Sequence, residues 1–145
     1  VEDVQGAAAF GLNLALSAPT GIGKTAAVLQ PMLKACIASD RRLLFTTAKV
    51  SQQELALQTA ESLVEPGSGV TVVQLESKER SCPQQEILCI PKHCDRLRDW
   101  QIRMAEAKLP GRLLEGGVGW AEQIRREADR HGLCPFDLGL SLAYG

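Results

Sequence analysis

The run Ala18, Pro19, Thr20, Gly21, Ile22, Gly23, Lys24, Thr25 carries the residue types that hold a polyphosphate. It fits the phosphate-binding-loop pattern, with Ala in place of the first Gly. Glycines let backbone N–H groups turn inward around phosphate oxygens, and the following helix adds partial positive charge at its N-terminus. In such a loop Lys24 reaches the β- and γ-phosphates, and the Thr25 hydroxyl ligates Mg²⁺. The apolar residues Leu12, Leu14, Ala15 and Leu16 precede the loop, and Ala26, Ala27, Val28 and Leu29 follow it. That strand–loop–helix context separates a binding loop from a glycine-rich turn that is merely capped by Thr. The expectation is nucleoside triphosphate binding, which does not by itself entail hydrolysis.

Five cysteines form the second chemical feature: Cys36, Cys82, Cys89, Cys94 and Cys134. Six residues separate Cys82 from Cys89, four separate Cys89 from Cys94, and thirty-nine separate Cys94 from Cys134. A phosphate-binding-loop protein works in a reducing compartment, where clustered cysteines point to metal rather than disulfides. Four thiolates suit tetrahedral zinc or a 4Fe–4S cluster, and spacing alone does not choose between them. The two-residue knuckle of zinc ribbons is missing, His93 could replace one thiolate at zinc, and the plainer reading of His93 is a surface residue. Cys36, four residues after Met32 and far from the others, reads as a small buried hydrophobe.

These residues need elements to position them. Strands are expected at residues 12–17, 42–47 and 70–75. Helices are expected at 24–38, bent or irregular at Pro31, and at 51–64, where Ser51 and Glu54 fit a capping box. Turns are expected at Pro66-Gly67-Ser68-Gly69, Pro110-Gly111 and Gly116-Gly117. Alternating strands and helices argue for an α/β fold with a parallel sheet. After residue 75 the strand signal fades, and helices are expected at 95–108 and 120–130. That stretch does not look able to build its own core, so a metal staple makes physical sense for it.

Apolar residues make up 45% of the 145-residue chain and its formal net charge is −1, the composition of one globular domain with no overall basic bias. Any nucleic-acid surface must therefore be a local patch. No run is long enough to span a membrane, and Glu2 and Asp3 stand where a signal peptide would be basic. The chain begins at Val1 and ends at Gly145 without a closing element, so it reads as a piece of something longer.

The loop, the strand Leu43-Leu44-Phe45-Thr46-Thr47 and the four later cysteines together resemble the iron–sulfur superfamily 2 DNA helicases, the XPD/DinG-like group. The resemblance covers nearly the whole chain in order. Residues 18–25 look like helicase motif I, and 43–53 like motif Ia. Ser77-Lys78-Glu79-Arg80-Ser81-Cys82 looks like the entry to the cluster domain, and Leu133-Cys134-Pro135-Phe136 like its exit. The resemblance implies a RecA-like half-lobe (residues 1–75) and a small, mostly helical iron–sulfur cluster domain (76–134), with a return into the motor lobe (135–145). It further implies an ATP-dependent 5′→3′ DNA helicase in repair or replication, using ATP and Mg²⁺. Cys82, Cys89, Cys94 and Cys134 would hold a structural 4Fe–4S cluster. Single-stranded DNA and duplex junctions would be the partners, the location intracellular. Thr46, Thr47, Lys78 and Arg80 would meet DNA phosphates, although a solvated charged turn explains Lys78 and Arg80 equally well.

The chain also departs from that family's pattern. The interval from Cys82 to Cys94 is compact, and no Asp-Glu-x-His box occurs. Gln5 does not follow a Pro as the family's adenine-reading Gln does, and a second motor lobe with its arginine finger is lacking. The 145 residues alone are therefore expected neither to hydrolyse ATP appreciably nor to unwind DNA. Two competing functions are a phosphate-loop NTPase of another class with a zinc-stapled insertion, and a binding module with a vestigial loop.

Overall fold

A computed structural model describes residues 1–65, 67–114 and 117–144. Pro66 and Gly116, both expected in turns, and Gly145 at the end of the expected return segment lie outside the described residues. The chain divides into two compact units, Val1–Val70 and Thr71–Gly145.

The first unit holds three helices, α1 (Glu2–Phe10), α2 (Lys24–Ser39) and α3 (Val50–Leu63). Gly11, at φ 64°, closes α1 in the left-handed conformation, where a residue without Cβ is least strained. Helix α2 accommodates a buried Pro31 in its interior, so the hydrogen bond that residue would donate is missing. Asp40 ends α2 at φ 49°, its N–H turned back to the carbonyls of Cys36 and Ile37. Helix α2 packs against both α1 and α3, and Val4, Leu29, Ala56, Leu57 and Ala60 are buried.

The Ser51–Glu54 capping box is not formed. Helix α3 starts one residue earlier with Lys49 in the N-cap position and no side-chain cap. Residues 12–17 and 42–47 carry no strand, and Leu12, Leu14, Leu16 and Leu44 are exposed.

In the second unit β1 (Val72–Val73) pairs in parallel with β2 (Val118–Gly119), in the register Val72 to Val118 and Val73 to Gly119. A parallel pair needs a crossover, and here it contains α4 (Lys78–Ser81), α5 (Trp100–Glu106) and α6 (Leu109–Leu114). Helices α7 (Ala121–Arg130) and α8 (Pro135–Tyr144) follow and pack on one another. On α7 the buried Ala121, Ile124 and Ala128 recur at helical spacing, which commits one face to the interior.

This unit, which is larger than the 76–134 stretch of the sequence expectation, has an apolar core. Leu109, Leu113, Ile124, Ala128, Leu133, Leu138 and Leu142 form one buried cluster, with Val73, Trp100 and Met104 against it. Helix α8, beyond residue 134 and packed on α7, α4, α6 and β1, supplies Leu138 and Leu142 to it. The expected loop at Pro110-Gly111 is also helical. Proline fits because the first turn of a helix has no intrahelical acceptor for its N–H groups.

Candidate functional site

The 18–25 loop leads directly into α2. Gly21 and Gly23 have φ of 85° and 78°, a region L side chains rarely adopt, and Gly23 is the N-cap of α2. A Cβ added to either glycine would meet nothing within 4 Å, so the requirement for glycine here is conformational rather than steric. Lys24 is the first residue of the helix. Its Nζ arches back across the loop and donates to Ala18 O at 2.9 Å and Pro19 O at 2.6 Å. These two bonds tie the start of the loop to its end.

Thr20, Gly21, Ile22 and Gly23 lie exposed between those ends, while Ala18 and Thr25 are half-buried. The first N–H groups of the 16-residue α2 face the same end of the helix, where its dipole is positive. The arrangement can take up an anionic oxygen on backbone donors, next to one ammonium and one hydroxyl.

The other expected contact residues are distributed over both units. In the first, Thr46 is exposed, and the Thr47 hydroxyl donates to Lys49 O at 2.8 Å in the turn that opens α3. In the second, Lys78 Nζ lies 5.0 Å from the centroid of the Phe136 ring, a cation–π distance. Arg80 Nε lies 3.7 Å from Glu76 Oε1.

All five cysteines are free thiols. Cys36 is half-buried on α2, and Cys82 follows α4. Cys89 is exposed, whereas Cys94 and Cys134 are half-buried. Burial pushes the Cys134 thiol up to about 11, against backbone N–H groups of Asp137 and Phe136 that favour the thiolate. Among the described residues no three of His, Cys, Asp or Glu come together as a metal site. A zinc or iron–sulfur site requires convergent thiolates, so the cysteines in this arrangement do not fit either group.

Two arginines that sequence reasoning passed over hold this region together. Arg96 Nη1 donates to Leu133 O at 2.9 Å and lies 2.8 Å from Asp129 Oδ1. Arg103 donates to Gly132 O at 2.9 Å, to Asp95 O at 2.8 Å and to Arg98 O at 2.7 Å. The turn after Cys94 is thereby joined to the turn before Cys134. In the sequence both arginines sit in a charged stretch with nothing to distinguish them from solvated residues.

A family model for the DEAD/DEAH box helicases matches residues 4–98, a span that includes the loop, α2, α3 and the first three clustered cysteines. The chain belongs to the DEAD/DEAH box helicase family. No curated protein and no solved structure matches the chain. The family supports a nucleic-acid helicase and ATPase, for which ATP and Mg²⁺ are consistent ligands. No helix among the described residues is long and apolar enough to cross a membrane.

Proposed function

We propose that this chain is the nucleotide-binding part of an intracellular ATP-dependent DNA helicase with 5′→3′ polarity, acting on single strands and duplex junctions in repair or replication. The observation that carries the reading is the left-handed Gly21–Gly23 turn at the N-terminus of α2, with Lys24 laid across it. In this proposal residues 18–25 bind the phosphates of ATP, Lys24 neutralises the β- and γ-phosphates, and Thr25 ligates Mg²⁺. Thr46, Thr47, Lys78 and Arg80 meet the DNA backbone. The first unit is read as part of a RecA-like half-lobe. The XPD/DinG-like assignment rests on the order and spacing of the motifs. That assignment would put a 4Fe–4S cluster on Cys82, Cys89, Cys94 and Cys134, no three of which come together among the described residues; iron with acid-labile sulfide in the purified protein, as against zinc, distinguishes the two ligand chemistries.

The test is calorimetric titration of MgATP into the wild type and Lys24→Ala. Removing the ammonium takes away a charge-assisted phosphate contact, so a loss of tenfold or more, about 1.4 kcal/mol, is expected. Equal binding by the two proteins refutes the assignment.

A further inference from the structure

Glu76, in the link between β1 and α4, is a nearly buried carboxylate held between two guanidinium groups. Its Oε1 lies 3.7 Å from Arg80 Nε and its Oε2 lies 3.5 Å from Arg125 Nε. The Glu76 side chain is 10% exposed, whereas those of Arg80 and Arg125 are 53% and 41% exposed. Both arginines therefore meet the carboxylate through Nε, and their side chains as a whole are far more exposed than the carboxylate they flank.

Glu76 Oε2 and Arg125 Nε are both fully buried atoms without a hydrogen bond, so their contact is an ion pair lacking hydrogen-bond geometry. A buried pair of that kind contributes little to stability, because desolvation offsets the attraction. What it can do is orient two planar forks. The adjoining cavity, lined by Glu76, Arg125, Ser81 and Phe136 among others, is only ≈ 10 Å³, so a ligand has to sit outside it, against the exposed parts of the two arginines. Lys78 stands over Phe136, a wall of the same cavity. The carboxylate of Glu79 on α4 is turned to its own backbone N–H and the Ser77 hydroxyl. Lys78, Arg80 and Arg125 thus outnumber Glu76 and Glu79, on a chain of net charge −1.

We infer that Arg80 and Arg125 form a two-pronged clamp for the phosphates of a single-stranded nucleic-acid backbone, with Glu76 as its positioning residue. Planar guanidinium groups suit bidentate phosphate contact better than lysines do. The inference rests on the nucleic-acid reading of the family and adds to it a site on α7, beyond the residues that the family model matches.

The test is fluorescence anisotropy of the full chain with a labelled single-stranded oligothymidylate at several salt concentrations. Arg125→Ala is expected to bind about five- to tenfold more weakly, with the log–log salt slope shallower by about one. Arg125→Lys keeps the charge, so it should keep the slope yet still weaken binding. Should Arg125→Ala lose its fold by circular dichroism, the Lys variant decides, and wild-type affinity in it overturns the proposal. Glu76→Gln removes a negative charge, so a purely electrostatic role predicts tighter binding, whereas loss of orientation predicts weaker binding, the expected result. Arg126→Ala, whose guanidinium pairs with Glu122 on the same helix, should bind like the wild type. Wild-type binding with Arg125→Ala unaffected overturns the clamp alone. Displacement of the strand by millimolar inorganic phosphate assigns the forks to a free anion and also overturns it. A wild type that binds no strand overturns the clamp and the nucleic-acid reading together.

Discussion

Lys24 and Cys134 illustrate opposite uses of a titratable group. The Lys24 ammonium is exposed and has three donors, two of which the loop carbonyls take in this conformation. It can exchange those carbonyls for phosphate oxygens without crossing a desolvated region. Cys134 is held as a thiol, its titration moved from 9.0 to about 11 first by burial. The folded value lies above the ordinary one, so the neutral form stabilises the fold. That contribution is fully present below about pH 9 and is lost as pH rises through about 11. Alkylation rates follow the thiolate fraction and access. In the metal-free chain at pH 8, iodoacetamide should label exposed Cys89 well before Cys134, and the Cys134 rate should keep climbing toward pH 11. Mass spectrometry of the labelled peptides reads both rates, and comparable labelling at pH 8 contradicts the burial argument.

Elements differed in how much of them could be read from sequence, and the reason is where their hydrogen bonds lie. Helices α2, α3 and α7 were legible because their bonds are local and their apolar residues recur at helical spacing. Residues 12–17 and 42–47 have strand-like composition, but a strand is completed by a partner, and composition does not supply one. Helix α5 begins at Trp100 rather than at residue 95 because Asp99 takes a left-handed conformation, φ 52°. There Arg103 donates to the carbonyls of Asp95 and Arg98, which a continuous helix would use itself. The phosphate loop was legible residue by residue, whereas the Glu76–Arg125 pair spans 49 positions and only folding brings it together. Arg103→Ala should remove all of its backbone contacts at once. Because hydrogen bonds from a charged donor are among the stronger ones, a loss of about 2–3 kcal/mol is expected. A urea titration reads it, and an unchanged midpoint would show that the turn is held by packing instead.

For the whole molecule the question is what keeps residues 71–145 folded. A metal staple and an apolar core make different predictions. Both tryptophans, Trp100 and Trp120, belong to this unit, so their fluorescence reports its unfolding without interference from the first unit. Trp100 packs on the cluster of Leu109, Leu113, Ile124, Leu133, Leu138 and Leu142, which contains no cysteine. Cys134 stands immediately before α8, and its carbonyl accepts the Leu138 N–H at 2.9 Å through the backbone, which Ser in its place would do equally well. A chelator-treated chain should therefore still unfold in one cooperative tryptophan transition. Cys82→Ser, Cys89→Ser, Cys94→Ser and Cys134→Ser should each stay within about 1 kcal/mol of the wild type, the range of substitutions away from a core. Leu138→Ala, which removes a side chain only 1% exposed, should instead cost about 2–5 kcal/mol. Loss of the transition on chelation, or in any one of the cysteine variants, would show that bound metal and not the leucine cluster holds this unit together.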